Sequence, residues 1–239
     1  MRRNSRMLGV LGAAVVTGAT LLVTASPADA AATTLVASWQ MNEPAGATVM
    51  TDSSGHGITG TIGSAVATGV QTSGTVDYQW SSVNPTAPPA KPQRLVQVNN
   101  SALNPGTKDY AVTIRYRTTH SYGNMIQKGQ NATAGGYFKF EQPNGFITCL
   151  FKGATGQQRA IVSKIALNDG AFHTVRCERT TNQLTMTIDS STKYTLVGPT
   201  GNISNTVPLT IGGKLNCDQV KVTCDYFAGT IDWITIESS

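Results

Sequence analysis

An all-β sandwich, two antiparallel sheets in jelly-roll order, is the fold class the sequence predicts, and three observations predict it. Threonine occurs 33 times and glutamate only four times in 239 residues, which suits the β-branched surface of strands and leaves helices short of a good former. Apolar and polar residues alternate with period two in several segments, the signature of half-buried strands. Gly and Pro clusters return every ~8 to 12 residues, and no window of a dozen residues carries a helical stripe. A closed barrel has the same local features, so periodicity alone leaves both architectures open.

The N-terminal element is an export signal. Arg2, Arg3 and Arg6 precede an apolar stretch from Met7 to Ala25, and Ala28-Asp29-Ala30 supplies a small-x-small cleavage site, so cleavage is expected after Ala30. Gly9, Gly12 and Gly18 dilute the run, which favours a cleaved signal over a membrane anchor. Residues 1–30 are therefore expected to be removed, and residues 31–239 to form a single secreted domain, free of the membrane and monomeric. The whole chain carries 18 basic and 13 acidic residues, +5; without the signal 15 and 12 remain, +3. That small, scattered balance excludes nucleic acid as the expected partner, because phosphate binding needs clustered Lys and Arg.

Strand readings follow along the domain. From Leu35 to Met41, Leu35, Ala37, Trp39 and Met41 fall on one face and Val36, Ser38 and Gln40 on the other. The alternation returns with Val112, Ile114 and Tyr116, and again with Leu184, Met186 and Ile188. At the C-terminus Ile231, Trp233 and Thr235 are expected on one face against Asp232, Ile234 and Ile236. Asp52-Ser53-Ser54-Gly55, Asn104-Pro105-Gly106, Pro143-Asn144-Gly145 and Gly212-Gly213 mark turns. Ser81 to Pro92 holds four of the ten prolines and reads as a rigid surface loop, a place where recognition residues gather. Four cysteines in an exported chain read as two disulfides, with three possible connectivities. Cys149 with Cys177, each inside an apolar segment, and Cys217 with Cys224 across a short loop are the expected pairs, contributing about 3.6 and about 2.5 kcal/mol in the chain-entropy account.

Four segments together resemble a known family. ASWQMNEPAGATVMTDSSGHGITGT, LNPGTKDYAVTIRYRTT, LNDGAFHTVRCERTTNQLTMTIDSS, and LTIGGK followed by FAGTIDWITI are similar, in that order, to the laminin G-like, concanavalin A-like lectin/glucanase jelly-roll domains, in a secreted bacterial, actinobacterial-like type. The resemblance spans nearly all of residues 35 to 236 and implies the sandwich over the barrel. The fold hosts lectins, adhesion modules and glycosidases alike, so function has to come from a site.

Glycoside hydrolysis needs two carboxylates about 5 to 10 Å apart with divergent pKa values. The family's Glu-x-Asp-x-Glu strand is absent, and Glu141 and Glu178 sit beside Lys139, Arg176 and Arg179, where salt-paired surface carboxylates are expected. A lyase constellation fails likewise: GGYFKFEQ resembles one of its strands, but the accompanying Gln-x-His and Arg-x-Glu-x-Arg strands are missing, and His56 and His173 have structural explanations in their turns. No catalytic residue is assigned. Calcium takes oxygen ligands in irregular loops, which Asp52 in DSSGHG offers; the resemblance adds Asp232, at the acidic position of the closing strand, with Glu43 third. A structural Ca²⁺ is therefore the expected cofactor. Saccharide binding calls for an aromatic platform with polar groups around it. Trp39 and Trp233 belong to strand patterns and are expected in the core. Tyr78 and Trp80, on one face beside the proline-rich loop, are the expected platform, with Tyr122 and Asn124 at the rim. The expected function is a non-catalytic module binding extracellular polysaccharide or a cell-surface glycan; the rivals are a polysaccharide hydrolase or lyase, and a protein-binding adhesion module.

Overall fold

The computed structural model describes residues 33–83, 93–216 and 225–239. The expected signal, Pro85 to Pro92, and Cys217 and Cys224 with their expected bond lie outside the described residues. The strands are β1 (Thr34–Trp39), β2 (Val49–Met50), β3 (Gly60–Ile62), β4 (Ala67–Thr72), β5 (Thr75–Trp80) and β6 (Val96–Val98). They continue with β7 (Tyr110–Arg117), β8 (Asn124–Lys128), β9 (Gly136–Glu141), β10 (Phe146–Gly153) and β11 (Gln158–Ala166). The last five are β12 (His173–Thr180), β13 (Gln183–Ile188), β14 (Thr192–Val197), β15 (Leu209–Ile211) and β16 (Gly229–Ser238). The first sheet runs β14-β13-β12-β7-β16-β5-β4, with β1 also paired to β16; the second runs β11-β10-β9-β8-β15-β6-β3-β2. The ladders are antiparallel, and the two-sheet sandwich is the predicted fold.

Alternation places the core. Val112, Ile114 and Tyr116 of β7 and Leu184, Met186 and Ile188 of β13 are all buried inward, as their period-two spacing requires. Across from them, the second sheet contributes Phe138 and Phe151, stacked with ring centroids 5.5 Å apart, and Tyr110 closes the group at 5.5 Å from Phe138. Cys149 in β10 is bonded to Cys177 in β12, so the expected disulfide joins one sheet to the other through a fully buried position.

Two strands depart from simple alternation, each because of a bulge. In β1 the register against β16 shifts between Leu35 and Ala37, which turns Leu35 out to 40% exposure while Ala37 and Trp39 stay buried. In β16 the register against β7 shifts between Ile231 and Trp233. The inserted residue reverses which side chains face inward: Ile234 and Ile236 enter the core and Trp233 is only half-buried. The expected grouping of Ile231, Trp233 and Thr235 on one face is corrected accordingly.

The loop 118–123, between β7 and β8, is held at one end of the sandwich from several sides. Thr118 Oγ1 donates to the Ala228 carbonyl at 2.6 Å and accepts from the His120 amide at 2.9 Å. Gln142, almost wholly buried, donates its side-chain amide to the His120 carbonyl at 2.9 Å and accepts from the Tyr116 hydroxyl at 2.8 Å. The Gly145 and Gln142 amides bond the Ser121 and Gly123 carbonyls, both at 2.9 Å. Gly123 adopts φ +150°, and a Cβ there would strike the Phe227 backbone, so the loop can cross at this point only without a side chain.

Candidate functional site

The expected aromatic platform is not on the surface. Tyr78 and Trp80 do share a face of β5, but β5 pairs with β16 through Ile231 and Gly229, and that shared face is the inner one. Tyr78 is 0% and Trp80 1% exposed. Trp80 packs edge-on against Phe227 at 5.9 Å, and its indole N–H donates to the Arg94 carbonyl at 2.9 Å. Both residues are core, and the correction has a plain cause: pattern identifies a common face but not which face is covered.

Tyr122 and Asn124, by contrast, come together. They line a cavity of ≈180 Å³ with Gly123, Glu141, Gln142, Pro143 and Asp225. Tyr122 is 44% exposed at its mouth and donates its hydroxyl to Asn144 Oδ1. That bond fixes the ring, and Asn144 is held at φ +55° by the turn before β10. Asn124 is 1% exposed; its side-chain amide donates to Gln127 Oε1 at 2.7 Å, while its Oδ1 has no hydrogen-bond partner. A buried acceptor without a donor costs about 1–3 kcal/mol. Glu141 pairs with Lys139 at 2.5 Å and Asp225 pairs with Lys214. The cavity thus presents acceptors beside an exposed ring, the arrangement that suits sugar hydroxyls and an apolar sugar face. Glu141, Gln142 and Asp225 were not singled out as ligands from sequence. Glu141 ↔ Asn124 is a cross-strand pair set by a bulge in β8, which no local pattern announces.

The expected calcium ligands are not assembled. Asp52 accepts the amides of Ser38, Ser54 and Ile58, each at 2.9 Å. Burial pushes its carboxyl up, but those amides outweigh it and leave the group below the ordinary range. Burial likewise raises Glu43, and bonds from Thr51 and Tyr78, at 2.5 Å each, bring it below the ordinary value. Asp232 is ion-paired with Arg115 and lies beside Asp77. Asp77 is wholly buried with one oxygen unpartnered; burial raises its carboxyl, and the neighbouring Asp232 adds to the rise. Each of the three carboxylates is therefore occupied by protein donors in its own place. Among the described residues no group of three His, Cys, Asp or Glu side chains stands close enough to hold a metal ion, so these residues do not fit the ion.

Glu141 and Glu178 stand on different sheets, each in ion pairs, Glu178 at 3.8 Å from Arg176. His56 Nδ1 lies 3.1 Å from the Val36 carbonyl, and His173 bridges Asp169 and Asp189 at 3.1 and 2.8 Å. Both histidines hold turns in place.

A family model described as Laminin G domain matches residues 116–239. Among solved structures, the binding domain of Paraclostridial Mosquitocidal Protein 1 is similar at 12% identity and TM-score 0.59, over 85% of this chain and 47% of that one. The serotype D botulinum neurotoxin ligand-binding domain, in complex with N-acetylneuraminic acid, is similar at 14% identity and TM-score 0.58, over 85% and 46%. The serotype G binding domain gives 12% and 0.59, over 86% and 47%. The chain spans about half the length of these structures, and the likeness is one of fold. No curated protein matches the sequence.

Proposed function

The chain belongs to the laminin G domain family, and from that premise we propose that it is a secreted bacterial binding module that holds polysaccharide without making or breaking a bond. The signal-like residues 1–30 would direct export, and the buried Cys149–Cys177 bond suits an oxidising compartment. The observation that carries the reading is the cavity beside Tyr122 and Asn124, where an exposed ring held by Asn144 stands at the mouth and the carboxylates of Glu141 and Asp225 are in the lining. A cavity of ≈180 Å³ admits about one sugar ring, so affinity would come from shallow contacts repeated along a polymer. The similar toxin domains are binding domains, one of them in complex with N-acetylneuraminic acid, which supports binding over turnover.

The test is electrophoresis of the mature chain through gels containing polysaccharides. Retardation is expected, and Tyr122→Ala should weaken it by about tenfold, since an aromatic contact contributes ~0.5–1.5 kcal/mol beyond its area. Asn124→Ala should weaken it as well. New reducing ends, or unsaturated products absorbing in the near ultraviolet, would overturn the non-catalytic reading. Equal mobility in every gel, with capture of a cell-surface protein instead, would favour the adhesion alternative.

A further inference from the structure

The far side of the 118–123 loop bounds a second cavity, of ≈400 Å³, lined by residues that include Gln79, Trp80, Ser82, Arg117 and His120. Its chemistry is opposite to that of the first. No Asp or Glu lines it, whereas Glu141 and Asp225 line the other. Arg117 is the charged group in the wall. Of the six arginines in the described residues, Arg94, Arg115, Arg159, Arg176 and Arg179 all donate to protein oxygens. Arg117 donates to none among the described residues; its one recorded contact is the face of Phe172, 5.1 Å from the guanidinium carbon. The same ring also takes Arg115, 4.2 Å from its centroid, and a ring face satisfies no N–H of Arg117. The nearby carboxylates are already engaged: Asp169 and Asp189 by His173, Asp232 by Arg115. A half-buried guanidinium with five donors, no acceptor and an open cavity in front of it is arranged for an anion with paired oxygens.

We propose that this cavity takes the carboxylate or sulfate group of an acidic polysaccharide, with Arg117 as the anion-binding residue and the Ser82, Gln79 and His120 side chains as further donors. The proposal rests on the binding-module reading and narrows it to an anionic class of glycan. One loop separates the two cavities, so an acidic chain crossing it would place hydroxyls at Tyr122 and Asn124 and a charged substituent at Arg117.

The experiment compares retardation of the mature chain in gels containing polygalacturonate, dextran sulfate or neutral dextran, which separate carboxylate from sulfate and both from no charge. Retardation by at least one anionic polymer and weaker retardation by dextran is expected. Arg117→Gln should weaken the anionic binding by about tenfold or more, as loss of a charged hydrogen bond implies. Arg117→Lys should restore it only in part, because a point charge replaces a planar fork; Lys193→Gln, which removes the same charge from an exposed strand, should change it little. Melting curves confirm that each variant is folded at the assay temperature, and calorimetric titration with galacturonate oligosaccharides gives a second reading on the wild type. Equal losses in the Arg117→Gln and Lys193→Gln variants would mean attraction to net charge and would overturn the site. Retardation by dextran alone, unaffected at Arg117, would overturn the anionic site but leave the binding module standing. Equal mobility in all gels, with no heat in the titration, would overturn both.

Discussion

His173 lies between two aspartates, with Nδ1 2.8 Å from Asp189 and Nε2 3.1 Å from Asp169. Burial pulls its pKa down, but the two carboxylates outweigh that effect and hold it above the ordinary value of about 6.5. A raised folded-state pKa means that the stabilisation is complete below the unfolded value and is lost as pH climbs through the folded one. The melting-temperature gap between wild type and His173→Gln is therefore expected to be widest near pH ~5.5 and to narrow above pH ~7; a gap constant across that range would contradict the charged bridge. Arg179 is a second residue whose role is local. It is 2% exposed, and its guanidinium donates to the carbonyls of Pro105, Gly106, Lys108 and Gly201 and to the Thr200 hydroxyl. Burial lowers its pKa to about 10, so it is charged at neutral pH and fastens two loops. Arg179→Ala should cost about 3 kcal/mol or more, because several buried acceptors lose their donor at once, and denaturant unfolding would measure it. From sequence, Arg179 was one of several basic neighbours of Glu178; its actual partners are 71 to 74 residues before it and 21 to 22 residues after it, and nothing local reveals them.

Strands were legible where they repeat without interruption. β7 and β13 bury the side chains that period two assigns to the core, because an unbroken ladder keeps one phase from end to end. β1 and β16 were misread at Leu35 and Trp233 because a single extra residue in each changes the phase. A bulge depends on the partner strand, so its position is not written in either segment alone. The consequence is measurable: Ile234→Ala should cost about 2–5 kcal/mol, as for a filled core position, and Trp233→Ala less. Trp80 is the counterpart in β5. Trp80→Ala should cost about 3–5 kcal/mol by emptying a core site, read as a lower denaturant midpoint.

At the scale of the whole molecule, the two sheets are joined by hydrophobic contact and by one buried bond, Cys149–Cys177. Replacing both cysteines by Ala should lower stability by about 3.6 kcal/mol in the chain-entropy account, seen as a lower denaturant midpoint. Chelation should leave the melting temperature unchanged, since an ion bound only to the folded state would have to raise it and Asp52, Glu43 and Asp232 are each held by other donors. The amino-acid sequence by itself determined the β class and the strand phases of the uninterrupted segments, because these follow from side-chain periodicity and local context; Cys177 was the expected partner of Cys149 among three connectivities, and the structure decided it. Tyr122 and Asn124, named from sequence as rim candidates, lie beside one cavity, Tyr122 exposed and Asn124 buried at the start of β8. Only the tertiary structure decided which face of β5 is covered, where Asp52, Glu43 and Asp232 find their donors, and that Arg117 finds none among the described residues. Those outcomes depend on cross-strand register and on loops that meet from distant parts of the chain, and a one-residue shift in either is invisible until the sheets have closed on one another.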